Sequence, residues 1–168
     1  MKKLKIAIGM ALALASVFAA PTFASTASTS FQVTITITNT CDAASLSAAN
    51  INFGTHTFLD PNPTATGSVA VRCTNGAGYT LSLDAGLNPS TAGNTATRRM
   101  LNGTSNYISY GLYSDSAATA SWGNTLASGW QSETGTGVLQ TFPVYGKAIL
   151  ASVPAGVYTD TVQATVTY

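Results

Sequence analysis

The chain has 168 residues, of which only 8% are charged, and its formal net charge is +1. Globular proteins usually have about 25% charged residues, so Ser, Thr, Asn and Gly must cover much of this surface. Nucleic acid is not expected as a partner, because no basic cluster is present to bind phosphate.

The first 24 residues are predicted to be a cleaved export signal. Lys2, Lys3 and Lys5 form its basic start, and an apolar run follows over 6–20. The small residues Thr22 and Ala24, at the −3 and −1 positions, place the cleavage site after residue 24. This run is short for a membrane span and no other candidate follows it, so membrane insertion is not expected. Cleavage leaves four basic and six acidic residues in a soluble, exported chain of a length that suits one domain.

Residues 31–38 have the alternation of a half-buried strand. The residues on its two faces are Phe31, Val33, Ile35 and Ile37 on one, and Gln32, Thr34, Thr36 and Thr38 on the other. Two interpretations are open. The segment is either the molecule's own first strand, or its odd-numbered side chains fill a groove in another copy. Periodicity alone favours the first.

Two cysteines follow, Cys41 and Cys73. An even count in an exported chain predicts one disulfide. Zinc is the competing interpretation, but two thiols and the distant His56 do not make a tetrahedral site, so no metal is expected.

Short apolar stretches separated by Gly, Pro, Asn and Asp predict an all-β sandwich for the rest of the chain. The predicted strands are 50–53, 68–74, 78–84, 107–114, 138–150 with a break near Gly146, and 157–168. A Pro-rich turn is expected at 60–67, and long loops at 85–99 and 115–137. No linker or repeat divides the chain.

The last predicted strand also alternates. Its apolar face consists of Tyr158, Val162, Ala164, Val166 and Tyr168, and its other face is made of Thr and Gln. No residue follows to form a further strand, so we expect an unpaired edge that invites another chain.

Catalytic chemistry has few candidates. His56 is the only histidine and is expected in a turn. The acidic residues are isolated, and Asp42, Asp60, Asp84 and Asp115 lie where side chains bond turn backbones. The sequence therefore predicts neither an enzyme nor a cofactor.

Four other residues have more than one interpretation. Arg98-Arg99 is the one adjacent basic pair after residue 24, and a solvated loop or a bond to a neighbouring carbonyl is favoured over contact with a partner. Trp122 and Trp130 could stack on sugar, but packing at loop ends is favoured. The glycan interpretation makes a self-contained secreted binding module the alternative function.

Taken in order, several segments resemble the spore coat protein U domain family, the pilins of archaic chaperone–usher fimbriae such as the Csu pilus. The matching segments are the strand leading into Cys41, Ile51-Asn-Phe-Gly54, Val69-Ala-Val-Arg-Cys73, Arg99-Met-Leu101, Tyr107 to Asp115, Trp122-Gly123, Pro143-Val-Tyr-Gly146 and Ala155 to Tyr168. Together they cover essentially the whole mature chain.

The resemblance implies an incomplete immunoglobulin-like sandwich that lacks its final strand and is completed by donor-strand exchange. It assigns Phe31, Val33, Ile35 and Ile37 to the donor strand. It assigns Tyr158, Val162, Ala164, Val166 and Tyr168 to the strand that borders the groove and binds the chaperone. It also pairs Cys41 with Cys73.

The function that the resemblance implies is a structural subunit of an adhesive, biofilm-associated fimbria. Its expected partners are other subunits in a head-to-tail polymer, a periplasmic chaperone and an outer-membrane usher. The expected organisation is signal 1–24, donor segment 25–38 and sandwich domain 39–168. The protein would pass through the periplasm to the cell surface.

Overall fold

The computed structural model describes residues 23–57, 59–103, 105–150 and 152–168. The predicted export signal lies outside these ranges except for its last two residues. Residues from Thr36 onward form a unit of their own, and every strand found in the described ranges belongs to it. Residues 23–35, taken by themselves, are exposed and contain no helix or strand.

Eight strands and one 3-10 helix, Thr95–Thr97, are the regular elements of the described residues. The strands are β1 (Cys41–Ala49), β2 (Thr64–Cys73), β3 (Gly78–Leu83), β4 (Arg99–Asn102), β5 (Asn106–Tyr113), β6 (Gln131–Thr134), β7 (Leu139–Ile149) and β8 (Ala164–Thr167). No helix within the described ranges is long and apolar enough to cross a membrane. The predicted all-β class is confirmed.

The strands form two sheets in which all neighbours are antiparallel. The five-stranded sheet has the order β1-β2-β7-β5-β4, and the three-stranded sheet has the order β6-β3-β8. Consecutive strands change sheets between β2 and β3 and again between β3 and β4, as the connections of an immunoglobulin-like sandwich do. The predicted incomplete immunoglobulin-like sandwich is therefore the observed fold.

Alternating side chains of both sheets point inward and form one core. On β3, Tyr79, Leu81 and Leu83 are buried, whereas the residues between them face outward. Trp122 joins this core with 1% of its surface exposed, and its indole N–H donates to the Leu81 carbonyl at 3.1 Å. The predicted packing of Trp122 is confirmed, and this indole is not available to stack on a sugar.

The predicted strand at 50–53 is wrong, because these residues pair with no strand. Ile51 and Phe53 instead pack against the core. Two glycines leave room for them. A Cβ at Gly67 would lie 2.7 Å from Ile51 Cγ1, and one at Gly146 would lie 2.9 Å from Phe53 Cζ. Gly146 therefore accommodates an aromatic ring and does not break β7, contrary to the sequence prediction.

The sequence analysis missed β1, which follows the predicted strand 31–38, and two short strands. β4 begins at the end of the predicted loop 85–99, and β6 lies within the predicted loop 115–137. Each has four residues with no apolar alternation, so neither gives a periodic signal. The last predicted strand, 157–168, is shorter in the structure, where β8 is preceded by an isolated bridge between Thr159 and Leu101.

The predicted disulfide joins Cys41 to Cys73 across the β1–β2 pair. Cys41 is the first residue of β1 and Cys73 is the last residue of β2, so the bond fixes one end of this pair. Both residues are at least 95% buried. The disulfide therefore fixes the position of the edge strand β1 as well as closing a loop.

Cys73→Ser is expected to lower the yield of folded protein. The two cysteines are separated by 32 positions in the sequence, and in the chain-entropy model their bond stabilises the folded state by about 3–4 kcal/mol. The measurement is the amount of soluble protein in a periplasmic extract, together with its urea midpoint. Ser68→Ala, a change on the same strand that leaves the disulfide intact, is the control. Equal yields of the two variants would contradict the prediction.

Candidate functional site

β8 is an edge strand with a neighbouring edge strand in the other sheet. It pairs with β3 from Thr80–Thr167 to Leu83–Ala164 and has no second partner among the described residues. The edge strand β1 comes within 8 Å of β8, measured between Cα atoms, and its Leu46 packs partly buried against the core. Two strand edges therefore border this side of the sandwich, with backbone groups available to another strand.

The inward row of the C-terminal segment is apolar and only partly covered. Tyr158, Val162, Ala164 and Val166 pack against the core but are not fully buried, and Tyr168 is 60% exposed. The odd-numbered residues between them are exposed. The predicted alternation is thus present, and a strand added beside β8 would bury the rest of this row.

Asp160 anchors the segment that leads into β8. One of its carboxylate oxygens accepts a hydrogen bond of 2.6 Å from the Tyr110 hydroxyl. The other accepts from the backbone N–H of Leu87 at 2.9 Å and from the side-chain amide of Asn88 at 3.1 Å. Burial and the bond to Asp160 raise the pKa of Tyr110, so its hydroxyl stays protonated and remains a donor.

Two more pairs of hydrogen-bonded residues hold the segment that leads into β8. Thr159 and Leu101 exchange backbone hydrogen bonds of 2.9 and 3.1 Å. Gln163 donates its N–H to the Asp84 carboxylate at 2.9 Å, and its carbonyl accepts from Asp84 N at 3.0 Å. The chain therefore bonds first to β4 in the five-stranded sheet and then enters the three-stranded sheet as β8. These bonds determine where the unpaired edge lies.

Arg98 places a buried positive charge at the end of β3, beside the segment that leads into β8. It is 2% exposed, and its guanidinium donates to the carbonyls of Asp84, Leu83 and Trp122 at 2.8, 2.9 and 3.1 Å. Burial lowers the pKa of this guanidinium, and nearby negative groups including Asp160 oppose that effect. Of the two interpretations of the basic pair, bonds to carbonyls are confirmed and contact of Arg98 with a partner is wrong.

The predicted donor residues are all exposed. Phe31, Val33, Ile35 and Ile37 expose 86, 83, 83 and 71% of their surface. The residues that alternate with them are exposed as well, and no strand forms over 31–38. The apolar face of this alternating segment is therefore exposed in the part of the chain that the structure describes.

Comparison with known proteins places this arrangement in a family. Residues 27–165 match the Spore Coat Protein U domain. The chain belongs to this family. Protein U of Myxococcus xanthus is 36% identical over 181 aligned positions that span all of both chains.

A solved structure is similar to this Spore Coat Protein U domain in both sequence and fold. It is the CsuC–CsuE chaperone–tip adhesion subunit pre-assembly complex from archaic chaperone–usher Csu pili of Acinetobacter baumannii. The identity is 26% and the TM-score is 0.58, over 79% of this chain. The chain spans 40% of the length of the chain it matches.

The other candidate residues of this Spore Coat Protein U domain have structural roles. His56 Nε2 donates to the Phe53 carbonyl at 2.6 Å, and its Nδ1 lies 3.2 Å from a carboxylate oxygen of Asp60. Asp42 and Asp84 each accept from the backbone N–H two residues later, at 3.1 and 2.9 Å. The Asp84 contact is the turn contact that the sequence predicts, whereas Asp42 lies in β1, next to an irregularity in the β1–β2 register.

Sequence reasoning missed Asp160 as a determinant of the edge. The sequence contains a signal for this role, because Asp160 lies on the same face of the alternating segment as Tyr158 and Val162. It is therefore an acid in an otherwise apolar inward row. A partly buried acid needs hydrogen-bond donors, and these come from other segments.

Proposed function

We propose that this chain is a structural pilin subunit of an adhesive, biofilm-associated surface fimbria that polymerises by donor-strand exchange. The observation that carries the proposal is that one chain holds both halves of a contact. One half is the partly covered apolar row beside the unpaired edge of β8. The other is the exposed, alternating apolar set of residues 31–37.

In this proposal the donor segment, 25–38, of one copy lies beside β8 of the next copy. Backbone hydrogen bonds would supply affinity, and the odd-numbered side chains would enter the space between β1 and β8. Phe31, Val33, Ile35 and Ile37 are the donor residues, and the row from Tyr158 to Tyr168 borders the acceptor site. The contact joins two different surfaces and does not close on itself, so it repeats into a filament.

Burial of the donor side chains provides a driving force for assembly. Moving four apolar side chains out of water contributes about 6–12 kcal/mol before ordering costs. The same apolar surface makes a free subunit prone to aggregation. A periplasmic chaperone that covers the edge is therefore a physical requirement, and the chaperone bound to the similar Csu subunit supports its inclusion. An outer-membrane usher would exchange the chaperone for the next donor segment.

The proposal also assigns the parts of the chain to stages of export. Residues 1–24 are the cleaved signal, 25–38 the donor segment and 39–168 the sandwich domain. The subunit passes through the periplasm and is then incorporated into a fimbria at the cell surface. Family membership over 27–165 supports this path, since the match includes both the donor segment and the sandwich.

Deletion of residues 25–38 tests the proposal. The full-length chain and the deleted chain, each with its export signal, are produced in the periplasm with and without a chaperone from the same genome. We expect the full-length protein to form a ladder of oligomers. The deleted protein should stay monomeric and depend on the chaperone for solubility. A deleted protein that is stable alone, beside a full-length protein that never polymerises, would refute the pilin function.

A further inference from the structure

The outer face of the three-stranded sheet contains a concavity of which only Tyr168 belongs to the proposed acceptor row. Ser132, Thr80 and Thr167 lie side by side on β6, β3 and β8, because the strand register pairs Thr80 with both of the others. At Gly78 the sheet lacks a side chain, and a Cβ there would meet no heavy atom within 4 Å. The resulting open groove has a volume of about 570 Å³, within the range of small-ligand sites.

Two aromatic side chains line this groove. Trp130, immediately before β6, is partly exposed, and Tyr168, immediately after β8, is 60% exposed. Asn124 and Glu133 also line it. An aromatic residue near each end and hydroxyl groups between them give the groove both apolar and hydrogen-bonding surface.

The charge of the side chains that line the groove restricts the chemical class of ligand that the groove can bind. Glu133 is its only carboxylate side chain, and it includes no Lys, Arg or His. A phosphate or an acidic polymer would therefore meet no cation and one negative charge. A wholly apolar ligand would bury hydroxyls from three strands without hydrogen-bond partners, at a cost in free energy. A neutral sugar has hydroxyls that can bond to these groups and a C–H face that can pack on an indole.

We propose that this groove, formed on the outer face of β6-β3-β8, binds a neutral oligosaccharide. Trp130 and Tyr168 pack against the sugar rings, and the hydroxyls of Thr80, Ser132 and Thr167 bond to it. A donor strand beside β8 would lie in the plane of the sheet and leave its outer face uncovered. The groove is therefore a second binding surface, which shares only Tyr168 with the proposed acceptor row.

Fluorescence titration of the mature full-length protein tests this site. The mature chain has two tryptophans, and because Trp122 is buried, a ligand-dependent change reports on Trp130. The probes are cellohexaose, chitohexaose, maltohexaose and xylohexaose, with a heparin hexasaccharide as the anionic probe. We expect at least one neutral probe to bind in the millimolar range or tighter and the heparin probe not to bind.

Gly78→Gln is the decisive variant, because it fills the groove without a backbone φ in the left-handed region or a clash. We expect it to abolish neutral-probe binding, and Trp130→Ala, followed by calorimetry, to weaken binding at least tenfold. Thr66→Gln, on the outer face of the other sheet, adds the same side chain and should leave binding unchanged. Urea midpoints check that every variant folds. Absence of binding by all neutral probes, or equal binding by Gly78→Gln and wild type, would overturn the proposal.

Discussion

Replacement of Val33 and Ile35 by aspartate is expected to abolish polymerisation while leaving the chaperone-bound subunit folded. Both side chains are 83% exposed in the single chain, so their loss removes no core contact. In the polymer they would enter an apolar site. Loss of their burial lowers the binding free energy of the donor strand by about 3–6 kcal/mol, which is roughly 10²–10⁴-fold in affinity. Burying two carboxylates in the apolar site would weaken binding further.

The measurement is the ladder of oligomers in a periplasmic extract, separated without heating, and the yield of subunit that copurifies with its chaperone. Gln32→Asp combined with Thr34→Asp is the matched control. It introduces the same charges on the opposite face of the segment, where the added strand would remain solvated. Polymerisation by the Val33/Ile35 variant, or equal loss in both variants, would show that the odd-numbered face does not carry the contact.

Which side chains of the C-terminal segment face the core could be predicted, because every second side chain there contacts the core. Val162, Ala164 and Val166 are at positions where local alternation and tertiary packing agree. The extent of the strand could not be predicted in the same way. Thr159 follows the same alternation, but its backbone hydrogen bonds go to Leu101 in the other sheet. A change of sheet leaves the side-chain period unaltered, so periodicity does not reveal it.

The segment 50–53 shows the opposite case, in which the pattern was present and the strand was not. Ile51 and Phe53 are separated by one polar residue, as in a strand. Their contacts are with the positions of Gly67 and Gly146, which are far away in sequence. Only the folded sandwich brings these four residues together, so tertiary packing decided the local conformation.

The donor residues illustrate a different limit of prediction from sequence periodicity. Alternation predicts that Phe31 to Ile37 has an apolar side, but it does not predict where that side is buried. In the single chain all four side chains are exposed. The choice between the two interpretations therefore depends on a partner surface, and the partly covered row on β8 provides a candidate for it.

Arg98→Met is expected to cost about 3–5 kcal/mol of folding free energy, because breaking a buried charged network leaves its partners without hydrogen bonds. Three buried or partly buried carbonyl bonds converge on Arg98, from Leu83, Asp84 and Trp122. Methionine fills similar volume and donates to none of them. Arg98→Lys should recover only part of the loss, since an ammonium group cannot reproduce the planar fork.

Urea unfolding of the mature full-length protein, followed through the fluorescence of Trp122, measures the loss. Arg99→Met is the matched control, because Arg99 makes carbonyl bonds to Asn88 and Pro89 and lies 4.0 Å from the centre of the Tyr107 ring, but is only partly buried. We expect it to cost about 1 kcal/mol or less. An Arg98→Met protein as stable as wild type would show that this buried cation does not hold the carbonyls at the ends of β3 and Trp122. The position of the unpaired edge of β8 would then depend on Asp160, on Asp84 and on the Thr159–Leu101 backbone pair.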